Sequence, residues 1–113
     1  MLMYRIAICD DEKSTCAEIE SYILMYSKLR FIRNEIEVFY SGEAFCEYVK
    51  QGNFFDLLFL DIELPAINGI EVGKFVRTSL GDEKMDIIYI SSKINYAMQL
   101  FQNRPMDFLV KPV

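Results

Sequence analysis

Asp56-Leu57-Leu58-Phe59-Leu60-Asp61-Ile62-Glu63-Leu64-Pro65 is the stretch on which the fold turns. Four consecutive apolar residues stand between two aspartates, too few for a helix and without the alternation of a strand that keeps one face in water. Such a run suits a strand buried on both faces of a parallel sheet. Asp61 follows it directly, and Pro65 closes the stretch with a turn signal. We therefore expect a strand over Phe55–Leu60 near the centre of a sheet, with Asp61 just beyond its carboxyl end.

The pattern repeats outward in both directions. Strand-length apolar runs occur at Tyr4–Cys9, Glu35–Tyr40, Asp86–Ile90 and Asp107–Val110. Between them, apolar residues recur at helical spacing: Cys16, Ile19, Ile23 and Tyr26; Ala44, Phe45, Tyr48 and Val49; Ile70, Val76 and Leu80; Tyr96, Ala97, Leu100 and Phe101. Ser41 can cap the second of these four helices, and Asn68 with Glu71 three residues later has the spacing of a capping box at the start of the third. In Glu35–Tyr40, Ile36, Val38 and Tyr40 alternate with Glu37 and Phe39, which reads as a half-exposed edge strand. The run around Ile88, like that around Phe59, reads as buried on both faces. Strands alternating with helices, joined by right-handed crossovers, give an α/β domain. The expected architecture is a flavodoxin-like, doubly wound, five-stranded parallel sheet of order 2-1-3-4-5.

The chain's 113 residues make one domain. A hydrophobic fraction of 52% with 26% charged residues can build one packed core and excludes a disordered tail. Twelve basic against 17 acidic residues leave a net charge of -5, which argues against direct nucleic-acid binding. The absence of histidine removes His-based nucleophilic catalysis and His-ligated metals. Cys9, Cys16 and Cys46 form neither a CxxC nor a Cys/His cluster, so no disulfide framework or zinc site is signalled, and a reducing cytoplasm fits. No stretch signals a membrane span or export.

In open parallel sheets, ligands bind beyond the carboxyl ends of the strands. The first strand ends in Asp10-Asp11, the third in Asp61, the fourth in Ser91-Ser92 and the fifth in Lys111-Pro112. Three carboxylates, a hydroxyl and an ammonium are thereby delivered to one edge. Carboxylates so close stay ionised only with a cation among them, and oxygen ligands alone point to Mg²⁺ or a similar hard ion. The metal and Lys111 would neutralise an incoming phosphoryl group while a carboxylate attacks it. Asp61, at the central strand before a turn, is the expected nucleophile. The plainer alternative is that Asp10 and Asp11 cap the first helix and Lys111 is a surface charge.

The chain resembles the receiver domain of two-component response regulators. The resemblance rests on Ile6-Ala7-Ile8-Cys9-Asp10-Asp11-Glu12, on Asp56 to Pro65 through Asn68-Gly69, on Ile87-Ile88-Tyr89-Ile90-Ser91, and on Asp107-Phe108-Leu109-Val110-Lys111-Pro112. It implies that Asp61 is the phosphoacceptor, with a sensor histidine kinase as donor. It further implies that Asp11 ligates Mg²⁺ directly, that Asp10 assists through water, and that the backbone carbonyl of Glu63 is a third protein ligand. Ser91 matches the hydroxyl that turns toward the phosphoryl group, and Lys111 the lysine that pairs with it, its peptide to Pro112 usually being cis. Phe108 matches an aromatic rotamer switch that, lacking a hydroxyl, must work by packing. In the resembling geometry Glu63 and Lys93 would face each other across the mouth of the site, where the pair either restricts the hydrolytic water or, as the plainer alternative, is a solvated surface pair worth well under ~1 kcal/mol. Such a domain is a phosphoacceptor signalling module rather than an enzyme acting on outside substrates.

The segment Ser91 to Phe101 followed by Met106-Asp107-Phe108-Leu109 is similar to the subset whose output is a LytTR-type DNA-binding domain. Transcription regulation through that output, and a homodimer through the helix 4/strand 5 face, are what it implies. The chain stops two residues past Lys111, so residues 1–113 read as a receiver truncated before its fifth helix and its output domain, with one sheet face incompletely covered and prone to self-association. Two rival readings stay open: a phosphorylation-independent pseudo-receiver, and a Mg²⁺-dependent aspartyl phosphatase. The latter normally needs a second Asp two residues after the nucleophile, where Glu63 stands.

Overall fold

The computed structural model describes residues 3–93 and 103–113. Five strands form one parallel sheet: β1 (Met3–Cys9), β2 (Arg33–Phe39), β3 (Leu57–Asp61), β4 (Asp86–Ser91) and β5 (Asp107–Val110), in the order β2-β1-β3-β4-β5. This is the expected topology, with β3 at the centre. Helix α1 (Lys13–Arg30) lies on one face, and α2 (Gly42–Lys50) and α3 (Gly69–Lys74) on the other; α3 runs on into a π-helical turn, Phe75–Ser79. The expected fourth helix falls outside the described residues. No helix among the described residues is long and apolar enough to cross a membrane.

Local chemistry sets the element ends. Ser41 Oγ accepts the Ala44 N–H at 3.1 Å at the start of α2. Asn68 and Glu71 form a complete capping box, the Glu71 N–H donating to Asn68 Oδ1 at 2.9 Å and the Asn68 N–H to Glu71 Oε1 at 3.2 Å. Helix α1 has no side-chain cap at its start and ends at Phe31, in the left-handed region at φ 55°.

The core divides by strand parity. Ala7, Cys9, Leu58, Leu60, Ile87 and Tyr89 point toward α2 and α3 and join Phe45, Val49, Val72 and Val76 in a closed core. Ile8 and Ile90 point toward Cys16 and Ile19 of α1. Three expectations need correction. Tyr40 does not continue the Ile36–Val38 face: the strand ends at Phe39, which is buried against Phe45 and Phe55 at ring distances of 5.4 and 5.9 Å, leaving Tyr40 exposed. Leu57 and Phe59 are only partly buried, because α1 leaves a groove of about 460 Å³ that both line, and Ile88 on β4 is likewise only partly buried. Leu80 is exposed, since the wider π turn carries it off the stripe that Val76 occupies.

A polar network closes the far side of α3. Tyr89 is fully buried and its hydroxyl accepts from Asn103 Nδ2 at 2.9 Å; the same Nδ2 donates to the Ile70 carbonyl at 3.1 Å. The Arg77 guanidinium donates to the carbonyls of Asn103, Asp82 and Arg104 at 2.8, 3.0 and 3.1 Å. Gly73 packs so tightly here that a Cβ would lie 1.8 Å from the Tyr89 hydroxyl.

Candidate functional site

Because all five strands are parallel, their carboxyl ends share one edge. Main-chain hydrogen bonds carry the polar residues just past those ends. The Asp10 N–H donates to the Phe39 carbonyl at 3.0 Å, Ile62 to Ile90 at 3.0 Å, and Lys111 to Ser91 at 2.8 Å. The start of α3 is pressed onto the same edge. The Gly69 N–H donates to the Ile62 carbonyl at 2.9 Å, and a Cβ at Gly69 would stand 2.2 Å from the Asp61 carbonyl oxygen, so only glycine fits.

Asp10, Asp11 and Asp61 each bring a carboxylate oxygen within 4.8 Å of the others. Asp10 and Asp61 are buried and Asp11 is exposed, so the cluster opens to solvent on one side. Lys111 Nζ lies 3.1 Å from Asp10 Oδ2 and 3.6 Å from Asp61 Oδ2, and also pairs with the Glu12 carboxylate. Asp10 Oδ1 accepts the Glu12 N–H at 2.8 Å, and Asp61 Oδ1 the Glu63 N–H at 3.1 Å. Helix capping, the plainer reading of the acidic pair, does not describe these contacts: Asp10 turns into the cluster.

Burial, and then the nearby Asp10 charge, push the Asp61 carboxyl up to about 7 against the pull of Lys111. Burial also raises Asp10. For Lys111, desolvation opposes the charge, but Glu12, Asp10 and Asp61 outweigh it and hold the ammonium above its ordinary value. One ammonium thus faces more negative charge than it balances. Asp10 Oδ2 is fully buried and, among the described residues, has an ion pair to Lys111 but no hydrogen bond. An oxygen-only donor set with an unsatisfied buried oxygen fits a hard divalent cation. The nearby Cys9 thiol is pushed up by burial and stays protonated.

Ser91 is buried at the end of β4. Its hydroxyl donates to Glu63 Oε1 at 2.6 Å and accepts the Lys93 N–H at 2.9 Å. Ser92 Oγ donates to the same Oε1 at 3.0 Å. The expected Glu63–Lys93 pair is therefore corrected: among the described residues the Glu63 carboxylate is held by two serine hydroxyls and makes no ion pair with Lys93. Burial works against that carboxylate's charge, but the Ser91 and Ser92 bonds prevail and hold it below its usual range. Phe108 stands apart from the carboxylates, in mid-β5 beside Tyr89, half-buried against the closed core. The Lys111–Pro112 peptide is cis.

The sequence pattern assigns no site contact to Glu12 or to the Ser92 hydroxyl, and it gives the Glu63 side chain the wrong partner, Lys93 in place of Ser91 and Ser92. The position of Glu12, directly after the acidic pair, is the signal in the sequence for its place at the site. The Glu63 contacts depend on a side-chain direction that spacing does not encode.

Residues 6–113 match the model of the response regulator receiver domain. The chain is 32% identical over 110 residues to the sensory transduction protein LytT of Bacillus subtilis, covering 97% of this chain and 43% of that protein. It is 26% identical over 113 residues to the transcriptional regulatory protein NatR of the same organism, covering 97% and 44%. It thus spans less than half the length of either relative. Among solved structures, the response regulator TrrA of Thermotoga maritima, in complex with Mg²⁺ and BeF, superposes with a TM-score of 0.78 at 28% identity, over 96% of this chain and 87% of that one. The acidic cluster with its lysine at the strand ends, the strand order and the match across residues 6–113 agree: the chain belongs to the response regulator receiver domain family of two-component signalling, with LytT proteins among its relatives.

Proposed function

We propose that Asp61 accepts a phosphoryl group from a phosphohistidine of a sensor histidine kinase, and that the added charge is relayed through Ser91 and Phe108 to the β4–β5 connection and β5. The observation that carries this reading is the buried Asp61 carboxylate at the end of the central strand, with Asp10, Asp11 and the Lys111 ammonium around it. An Asp61 oxygen attacks phosphorus, the P–N bond to the donor imidazole breaks, and the imidazole leaves carrying its electron pair. Lys111, already between Asp10 and Asp61, pairs with the transferred oxygens. Ser91 supplies a hydroxyl donor from β4 once it turns inward. Asp11, Asp61 and the Glu63 carbonyl would hold Mg²⁺ directly and Asp10 through water, and the bound ion would offset the charge of carboxylates and phosphoryl oxygens. Phe108 responds by packing alone, for it has no hydroxyl to trade.

The output belongs to the same proposal. A NatR relative described as a transcriptional regulator, and more than twice this chain's length, supports control of a DNA-binding output domain by the receiver. The low basic content of this domain supports DNA contact elsewhere in the protein rather than here.

The test is exposure to acetyl phosphate with and without Mg²⁺, read by intact mass. One Mg²⁺-dependent phosphoryl group, absent from Asp61→Ala, is expected. A folded chain that takes none would mark an interaction module that does not use phosphorylation. Mg²⁺ binding has its own readout: at a hundredfold excess over its Kd the ion should stabilise the wild type by about 2.7 kcal/mol, with the shift in Tm much reduced in Asp11→Asn.

A further inference from the structure

We propose that the Glu63 carboxylate is the resting partner of the Ser91 hydroxyl and competes for it with a phosphoryl group on Asp61, making Glu63 a positioning residue that restrains the switch. The proposal rests on the phosphoacceptor reading above.

A serine hydroxyl has one proton to donate. In the resting protein that proton is committed, because Ser91 Oγ donates to Glu63 Oε1 at 2.6 Å while accepting the Lys93 N–H at 2.9 Å. Ser91 cannot serve a phosphoryl oxygen until the bond to Glu63 is given up. A bond to a carboxylate is about twice as strong as one between neutral groups, so the competition is uneven at rest and turns only when a second anion appears at Asp61.

The backbone makes the contest local. The Glu63 N–H donates to Asp61 Oδ1 at 3.1 Å, so the competing acceptor is anchored to the residue that would carry the phosphoryl group. Ser92 completes the arrangement. Its hydroxyl donates to the same Glu63 oxygen at 3.0 Å and its N–H approaches Oε2 at 3.4 Å, so the carboxylate keeps donors after Ser91 departs. The carboxylate is not left bare by the switch, and the return path stays open.

A surface hydrogen bond that merely ties β4 to the turn after β3 would not act through Ser91, and that is what the experiment separates. Phosphoryl incorporation from acetyl phosphate at fixed Mg²⁺ is followed in the wild type, Glu63→Ala, Glu63→Gln, Ser91→Ala and the Glu63→Ala/Ser91→Ala pair. Glu63→Ala should speed incorporation by about tenfold to a hundredfold, the range set by losing one competing hydrogen bond to a charged group. Glu63→Gln keeps an acceptor oxygen without the charge, so it retains a weaker competing bond and should be accelerated less than Glu63→Ala, falling between that variant and the wild type. In the Ser91→Ala background the Glu63→Ala acceleration should vanish.

Equal acceleration with and without Ser91, or equal rates for the Ala and Gln variants, would assign the effect to charge repulsion of the donor and overturn the proposal. A second readout needs no phosphorylation: the Ser91 Cβ and Lys93 amide resonances of the resting protein should move in Glu63→Ala, and unmoved resonances would overturn the resting contact. A wild type that takes up no phosphoryl group overturns the phosphoacceptor reading and the competition with it. A phosphorylated chain whose rate ignores Glu63 overturns the competition alone.

Discussion

Leu58 and Phe59 are neighbours on β3, yet Leu58 is fully buried beneath α2 and α3 while Phe59 is only partly covered on the α1 side. The same contrast runs along β4, where Ile87 and Tyr89 are fully buried and Ile88 is not. One sheet therefore has a closed face, sealed by an aromatic cluster of Phe39, Phe45, Tyr48 and Phe55 and by the Tyr89–Asn103–Arg77 network, and an open face with a groove. The difference teaches where the rigidity of the site comes from. Ser91, in parity with Ile87 and Tyr89, and the start of α3 belong to the closed face, whose packing fixes the ends that present them, whereas Asp61, in register with Ile90, ends the β3 parity that faces α1.

The largest expected effect tests that contrast directly. Leu58→Ala should cost about 2–5 kcal/mol, the cost of a cavity in a fully buried site, out of a total stability of about 5–15 kcal/mol for a domain of this size. Phe59→Ala, despite removing the larger side chain, should cost about half as much or less, because part of that ring already meets water. Urea titration of both variants decides it; equal losses would mean the open face is covered in solution.

Next comes Arg77. Replacing it with Met strips three carbonyls of a charged donor and should cost about 2–3 kcal/mol. Slower exchange of the Asn103, Arg104 and Met106 amides than in the wild type would contradict the clamp, which predicts faster exchange there. Gly73→Ala should cost about 1–3 kcal/mol by driving a methyl into the Tyr89 hydroxyl, and Tyr89→Phe should recover part of that loss when the two are combined. Additive losses in the double variant would place the strain elsewhere.

These residues also mark what a sequence can and cannot disclose. The strands, their order, both helix caps and the convergence of Asp10, Asp11, Asp61 and Lys111 were legible, because each rests on a local pattern: apolar runs of fixed length, a polar residue at the run's end, and Ser or Asn before a helix. The coverage of each face was not. Leu57-Leu58-Phe59-Leu60 is equally apolar on both parities, so its pattern does not say that one side is closed and the other grooved. Phe39 and Tyr40 are both aromatic, and only the ring contacts with Phe45 and Phe55 choose between them. Arg77 looks like a solvated helix charge until three carbonyls are seen to surround it, and Glu63 looks like half of an ion pair until Ser91 and Ser92 are seen to claim it.

The smallest effect on stability is expected on the open face, where association is the sharper measure. Tyr4, Ile6, Tyr22, Tyr26, Leu57 and Phe59 line the groove, and Met25, Leu29 and Phe31 stand exposed on α1 and its C-terminal cap nearby. Apolar surface of this kind is available to a second copy of the chain, so the wild type should self-associate as its concentration rises. Tyr26 is more than half exposed, with its ring 5.4 Å from the Arg30 guanidinium, so Tyr26→Lys should change stability by no more than about 0.5 kcal/mol. The same variant should lower the weight-average mass in sedimentation equilibrium, because a second cation beside Arg30 makes the groove's rim repel its copy. A wild type that stays monomeric throughout would show that apolar exposure alone does not drive pairing of this face, and would leave its partial coverage a matter of packing. A variant that unfolds instead would mean that Tyr26 supports the core beneath it, and that the contrast between the faces is shallower than the exposure of their side chains indicates.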